Sequence, residues 1–259
     1  MMPSLPGLSV PVSCAQLQVA IDYPAALALR QMALVQDELP KYLLAPEVSA
    51  LLHYVPELHR KMLLATLWNT GARINEALSL TRTDFFLAPP YPFVQLATLK
   101  QRAAKAARTA GRTLAGSQPH RIVPLSDLQY VSQLEMMVAM LKIPLERQNK
   151  QTGRTEKARI WEITDRTVRT WLNEAVDLAT ADGVTFSVPV TPHTFRHSYA
   201  MHMLYAGVPL KVLQSLMGHK SISSTEVYTK VFALDVAACH RVQFQMPEIE
   251  AVALLKGQS

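Results

Sequence analysis

Cysteine is almost missing from this chain: the 259 residues hold two, Cys14 and Cys239, at no metal-ligand spacing. That excludes a disulfide scaffold and a Cys-rich zinc site, and it suits a reducing, cytoplasmic compartment. No stretch is long and apolar enough to span a bilayer, so no membrane partner is expected. Met1 to Ile21 is uncharged, but it has no basic n-region, and Pro3, Pro6, Gly7 and Pro11 interrupt any apolar h-region, so no signal peptide is read. There is also no dense Asp/Glu cluster of the kind that holds Mg²⁺. No metal or other cofactor is expected.

Acidic residues disappear altogether between Phe85 and Ser126, an interval that carries Lys100, Arg102, Lys105, Arg108, Arg112 and Arg121. A basic loop of this kind is a solvated charge run in many proteins, and it is also what reaches phosphates. The whole chain has 26 Lys and Arg against 20 Asp and Glu, a formal charge of +6 that favours a polyanionic partner. With 49% hydrophobic residues it can bury at least one full core.

The patterning predicts an α+β chain that is mostly α. Residues 1–42 read as a short arm followed by helices, for example Tyr23 to Gln36, and residues 43–259 as one larger domain with a tail. Pro46 opens a short helix, and Glu57 to Asn69 carries Leu58, Met62, Ala65 and Leu67 near helical spacing until Gly71 stops it. The alternating runs Phe93 to Leu99 and Arg121 to Leu125 read as two antiparallel strands joined by the basic segment. A helix follows around Val131 to Leu145, then a second basic stretch from Lys142 to Arg159. A further helix, Arg166 to Thr180, opens at Thr164 or Asp165. Its first turns hold Arg166 and Arg169, where the helix dipole disfavours cations unless a phosphate sits there.

Several segments place a cation or an imidazole where a helix starts or stops. Gly71 ends one helix and Arg73 begins the next, with Glu76 three residues on and able to orient it; the same spacing also serves ordinary surface ion pairs. Thr191 as N-cap and Pro192 at N1 start a helix from which His193 and Arg196 project on one face, both able to donate to one anion. Tyr199, Met203 and Leu204 continue it as core residues. Leu210, Leu213 and Leu216 line the following helix, Gly218 terminates it, and His219 lies just beyond, where a C-terminal dipole is expected to raise its pKa. Ser223 to Glu226 matches a capping box and launches a helix bearing Tyr228. Together these residues suit a phosphodiester: guanidinium groups neutralise the non-bridging oxygens as charge builds, while the tyrosine attacks phosphorus.

The segments TGARINEALSL (Thr70 to Leu80), TPHTFRHSYA (Thr191 to Ala200) and LMGHKSISSTEVYTKV (Leu216 to Val231) resemble the boxes of the tyrosine recombinase, or phage integrase, family. The resemblance covers roughly Ala45 to Ala238, with 23 residues from Arg196 to His219 and nine from His219 to Tyr228. It implies the family's catalytic fold with a small antiparallel sheet, here behind an abbreviated N-terminal helical region. It implies that Arg73 and Arg196 clamp phosphate, that His193 and His219 manage protons, that Glu76 supports Arg73, and that Tyr228 forms a 3′-phosphotyrosine. The family's catalytic lysine sits on a β-hairpin, which points to Lys100, with Lys105 as the other candidate. Arg102, Lys105, Arg108, Arg112, Arg166 and Arg169 are the expected DNA contacts.

The activity implied is site-specific strand exchange on double-stranded DNA by a homotetramer, with accessory DNA-bending proteins as further partners. The small size, short N-terminus and the character of the boxes resemble plasmid-encoded resolvases, which points to resolution of plasmid multimers; integration is the other role. The same surface also suits a type IB topoisomerase-like nicking-closing enzyme or a non-catalytic DNA-binding regulator.

Overall fold

The computed structural model describes residues 40–97, 120–149, 153–219 and 221–229. The expected arm and helices before residue 40, most of the basic segment between the two strands, and the tail after residue 229 lie outside the described residues.

The fold is α+β and mostly α, built around a helix that is buried on nearly every side. Helix α1 (Ala45–His53) has a proline in its first turn and packs beside α2 (Leu58–Thr70). In α2, Met62, Leu63, Leu64, Ala65, Thr66, Leu67 and Thr70 are all buried, as befits a helix surrounded by other elements. Gly71 ends it at φ 57°, a left-handed conformation that favours glycine. A Cβ there would lie 2.3 Å from Cδ1 of Tyr199, so the absent side chain is also what lets that ring pack against the turn.

After the one-and-a-half-turn helix α3 (Ile74–Leu78) the chain enters a three-stranded antiparallel sheet in the order β1 (Phe85–Phe86), β2 (Phe93–Ala97), β3 (His120–Pro124). Two strands are legible from alternation, and the third adds Phe86, which stacks on Phe93 at 4.6 Å. In the β2–β3 register Val94 faces Val123, and Leu96 faces Arg121. Helix α4 (Leu128–Met140) begins earlier than the apolar pattern suggests because the Asp127 side chain accepts from the amides of Gln129 and Tyr130. It ends before Pro144 rather than at Leu145.

The second basic stretch forms a hairpin of β4 (Glu146–Gln148) and β5 (Thr155–Lys157), with Arg147 bridging to Glu156 and Glu162. Helices α5 (Asp165–Ala181), α6 (Pro192–Tyr205) and α7 (Leu210–Met217) follow, then a helix over 223–229, here α8. Two buried apolar clusters result. The larger joins α1, α2, the sheet, α4, α5 and Phe195 of α6; the smaller gathers Tyr42, Leu44, Tyr199, Ala200, Met201, Leu204, Leu213, Met217 and Tyr228.

Candidate active site

Arg73 is the N-cap of α3, and Glu76 at N3 reaches back to it. The Arg73 amide donates to Oε2 of Glu76 at 2.9 Å, and Arg73 Nη1 donates to Oε1 at 2.9 Å. Glu76 is fully buried, and its second partner is a residue that reads in sequence as one more cation of the basic segment. Arg121 of β3 donates through Nη2 to Glu76 Oε2 at 2.5 Å and through Nε to the Leu216 carbonyl at 2.8 Å. Arg121 is therefore neither exposed nor unopposed, because its strand turns it inward opposite Leu96 and a carboxylate awaits it. Burial alone would raise the Glu76 pKa, but the bond and charge of Arg121, with two bonds from Arg73, outweigh it and hold the carboxyl below its ordinary range.

In α6, Thr191 caps by accepting from the Thr194 amide at 3.1 Å, and Pro192 occupies the first turn. His193 stays at the surface while Arg196, 3% exposed, turns into the protein. Arg196 Nη1 donates to the Gly71 carbonyl at 2.5 Å and Nη2 to the Met217 carbonyl at 2.6 Å, which uses two of its five N–H groups. One guanidinium thus ties the turn that carries Arg73 to the end of α7. Burial, then the charges of Arg73 and Arg121, lower its pKa to about 10, so it remains a cation at neutral pH.

Gly218 closes α7 at φ 63°, and the His219 amide donates back to the Gln214 carbonyl at 3.1 Å. A C-terminal dipole should favour protonated His219, yet its pKa falls to about 4: burial, then the charges of Arg196, Arg73 and Arg121, exceed the half-charge of a helix end. Its Nδ1 lies 2.9 Å from the Thr225 hydroxyl, which fixes it to the start of α8. There the capping box is displaced. Helix α8 opens at residue 223, the Ser221 hydroxyl accepts from the Ser223 amide at 3.3 Å, and the Ile222 carbonyl takes the amides of Thr225 and Glu226.

Tyr228 is 2% exposed and belongs to the smaller cluster. Burial pushes its phenol up to about 12, against the opposing pull of the Arg196 and Arg73 charges. Its hydroxyl lies 2.9 Å from Nδ1 of His197, the residue after Arg196. His197 in turn meets His193 edge to face, ring centres 4.3 Å apart.

The structure therefore brings Arg73, Glu76, His193, Arg196, His219 and Tyr228 to one place and adds Arg121 and His197. Lys100, Arg102, Lys105, Arg108 and Arg112 lie outside the described residues. Arg166 and Arg169 are exposed on α5. Arg169 is paired with Asp165 at 3.1 Å, and its charge reaches His193. Among the described residues, no three His, Cys, Asp or Glu side chains gather as metal ligands would, and no helix is long and apolar enough to cross a membrane.

Known proteins place the chain in context. A resolvase of Escherichia coli strain K12 is 81% identical over 259 residues, spanning 100% of this chain and 96% of the relative. The tyrosine recombinase XerD of Mycobacterium leprae is 32% identical over 202 residues, covering 74% of this chain and 57% of its own. Among solved structures, the XerH site-specific recombinase in a post-cleavage complex with palindromic difH substrate shares the fold at a TM-score of 0.57 and 19% identity. That match covers 79% of this chain and 53% of XerH. The sequence profile of the phage integrase family matches residues 41–234, and the chain accordingly belongs to that family: it is a tyrosine recombinase, a DNA strand-exchange enzyme.

Proposed function

We propose that the chain cuts and rejoins specific DNA duplexes through a 3′-phosphotyrosine on Tyr228, and that its biological reaction is the resolution of multimeric circles into monomers. Arg73 and Arg196 bind the non-bridging oxygens of the scissile phosphate. Glu76, and behind it Arg121, aim Arg73. His193 and His219 donate hydrogen bonds to the phosphoryl oxygens, and Lys100 protonates the 5′-oxygen leaving group. The free 5′-hydroxyl then attacks the phosphotyrosine of a partner strand, so the bond energy is retained within a synaptic homotetramer.

The observation that supports this best is the company Tyr228 keeps: a buried phenol, in the field of two guanidinium groups of its own chain, with an imidazole on its hydroxyl. A DNA-binding regulator has no use for a nucleophile so placed. The name of the 81% identical relative supports resolution over integration. The family match over 41–234 supports a catalytic domain that begins near residue 43. The basic segment supplies further phosphate neutralisation: deleting Lys105 to Arg112 flattens the salt dependence of DNA binding by about 0.9 in log–log slope for each phosphate that the deletion leaves without a cation.

The test is a nicked suicide duplex carrying a sequence selected from a random pool by binding to the protein. Wild type forms a covalent protein–DNA band and Tyr228→Phe forms none; a band with Tyr228→Phe overturns the assignment. Arg196→Ala lowers the rate of band formation about 10²–10³-fold, with a smaller effect on binding. A plasmid bearing two copies of the selected site yields two separate circles, whereas relaxed circles alone would reveal a nicking-closing enzyme.

A further inference from the structure

His197 is adjacent in sequence to a phosphate-binding arginine but lies about 100° further round the helix, so the two side chains meet different neighbours. Nδ1 of His197 meets the hydroxyl of Tyr228, a residue 31 positions further along the chain, at 2.9 Å. This pairing is held from several sides. Tyr228 is buried in the smaller cluster, His193 packs edge to face on the His197 ring, and the aromatic rings of His197 and Tyr228 meet with centres 5.5 Å apart.

Resting on the reading of Tyr228 as nucleophile, we propose that His197 is a catalytic residue of the cleavage step: its Nδ1 receives the phenolic proton as Tyr228 Oη attacks phosphorus. The distance lies within the range required of a general base. The neutral ring must carry its hydrogen on Nε2, so that the Nδ1 lone pair accepts from the hydroxyl. The groups facing it make that the resting state. Burial first, and then His193 and Arg196 on α6 and His219 beyond α7, disfavour a charged His197, and its pKa falls to about 4. A phosphate entering among the arginines replaces part of that repulsion with attraction and strengthens the base at the moment it is needed.

The step balances. The O–H bond of Tyr228 breaks and its electron pair forms the new O–P bond, while the proton passes to Nδ1. The P–O5′ bond breaks, and O5′ leaves with its electron pair and takes a proton from the general acid. In rejoining, the 5′-hydroxyl returns its proton to that general acid as its oxygen bonds to phosphorus, the Tyr228 O–P bond breaks, and the departing phenolate recovers its proton from His197.

His197→Asn keeps a polar group at the Nδ1 position but cannot take up the proton. On the nicked duplex, with single turnover followed at saturating protein, this variant should bind DNA as wild type does. It should form the covalent band at least about 10²-fold more slowly at neutral pH, with a rate that climbs as pH rises and hydroxide takes over. A bridging 5′-phosphorothiolate, whose leaving group needs no proton, should leave that deficit in place. A variant as fast as wild type or faster overturns the proposal, because the imidazole would then only restrain the phenol; a deficit abolished by the phosphorothiolate overturns it too, because His197 would then act on the leaving group. If His197→Asn fails to bind, 3,5-difluorotyrosine at position 228 of the otherwise unchanged protein decides. The lower limb of the pH–rate profile stays put if it belongs to the base, and moves with the phenol if Tyr228 ionises unaided, which overturns the proposal. Tyr228→Phe runs alongside: a band from that variant defeats the nucleophile assignment itself, whereas its absence with an unimpaired His197→Asn defeats only the role of His197.

Discussion

The two buried clusters carry opposite sides of the candidate site, and on the function proposed above opposite halves of the reaction. The larger joins α1, α2, the sheet, α4 and α5, and on its edge stand Ala72 and Ala77, which fix the turn of Arg73 and Glu76. The smaller has nine residues and carries Tyr228. On the function proposed above, the phosphate-binding frame therefore rests on the larger core and the nucleophile on the smaller one. The seam between them is bridged by cations. Arg196 spans from the Gly71 carbonyl to the Met217 carbonyl, and Arg121 from Glu76 to the Leu216 carbonyl.

The largest effect should come from breaking the frame at its anion. Glu76→Ala leaves Arg121 buried without a counter-charge and should cost about 3–5 kcal/mol in urea unfolding; an unchanged midpoint would show that Arg121 finds another partner. Next comes a paired test of the clusters. Leu134→Ala in the larger and Leu213→Ala in the smaller, both fully buried, should each cost about 2–5 kcal/mol. Well below the melting temperature only Leu213→Ala should also slow covalent-band formation, and equal rates would erase the division of labour drawn above. Gly218→Ala should cost about 1–2 kcal/mol, since the residue sits at φ 63° and a Cβ would lie 3.0 Å from Cδ of Arg121.

Smallest near neutrality is the pH effect. His197 and His219 titrate near 4 when folded, below the roughly 6.5 of a free imidazole, so the unfolded chain binds more protons between these values. Stability should decline as pH drops from about 6.5 towards 4, and Glu76, whose pKa is also depressed on folding, adds its own loss at lower pH. DNA binding near pH 6 should take up protons, measurable by calorimetry in buffers of differing ionisation enthalpy; proton release would reverse the sign of the field assigned to the site.

Local signals made much of this legible. Gly71 and Gly218 as helix stops, Thr191–Pro192 as a helix start, and the spacing from Arg73 to Tyr228 all survive in the structure because caps and turns are short-range chemistry. What escaped is long-range. Arg121 sits in a run of positive charge, and only the fold supplies its partner at Glu76, 45 positions away. His197 follows Arg196 so closely that the motif hides it, and the hydroxyl it meets belongs to a different helix. The hairpin of β4 and β5 read only as a basic stretch, because its charges are paired across strands, Arg147 with Glu156, rather than along the chain.

Arg196 has one more lesson. Its two carbonyl partners close the C-terminal ends of α2 and α7, so the negative poles of two helix dipoles converge on a single cation. Before any nucleic acid arrives, that guanidinium is already oriented and partly neutralised by groups that cannot rotate away, and no mobile ion is required to quiet it. On the function proposed above, a phosphodiester joins a preset electric field, and little rearrangement of water or protein remains to be done as charge develops on its non-bridging oxygens.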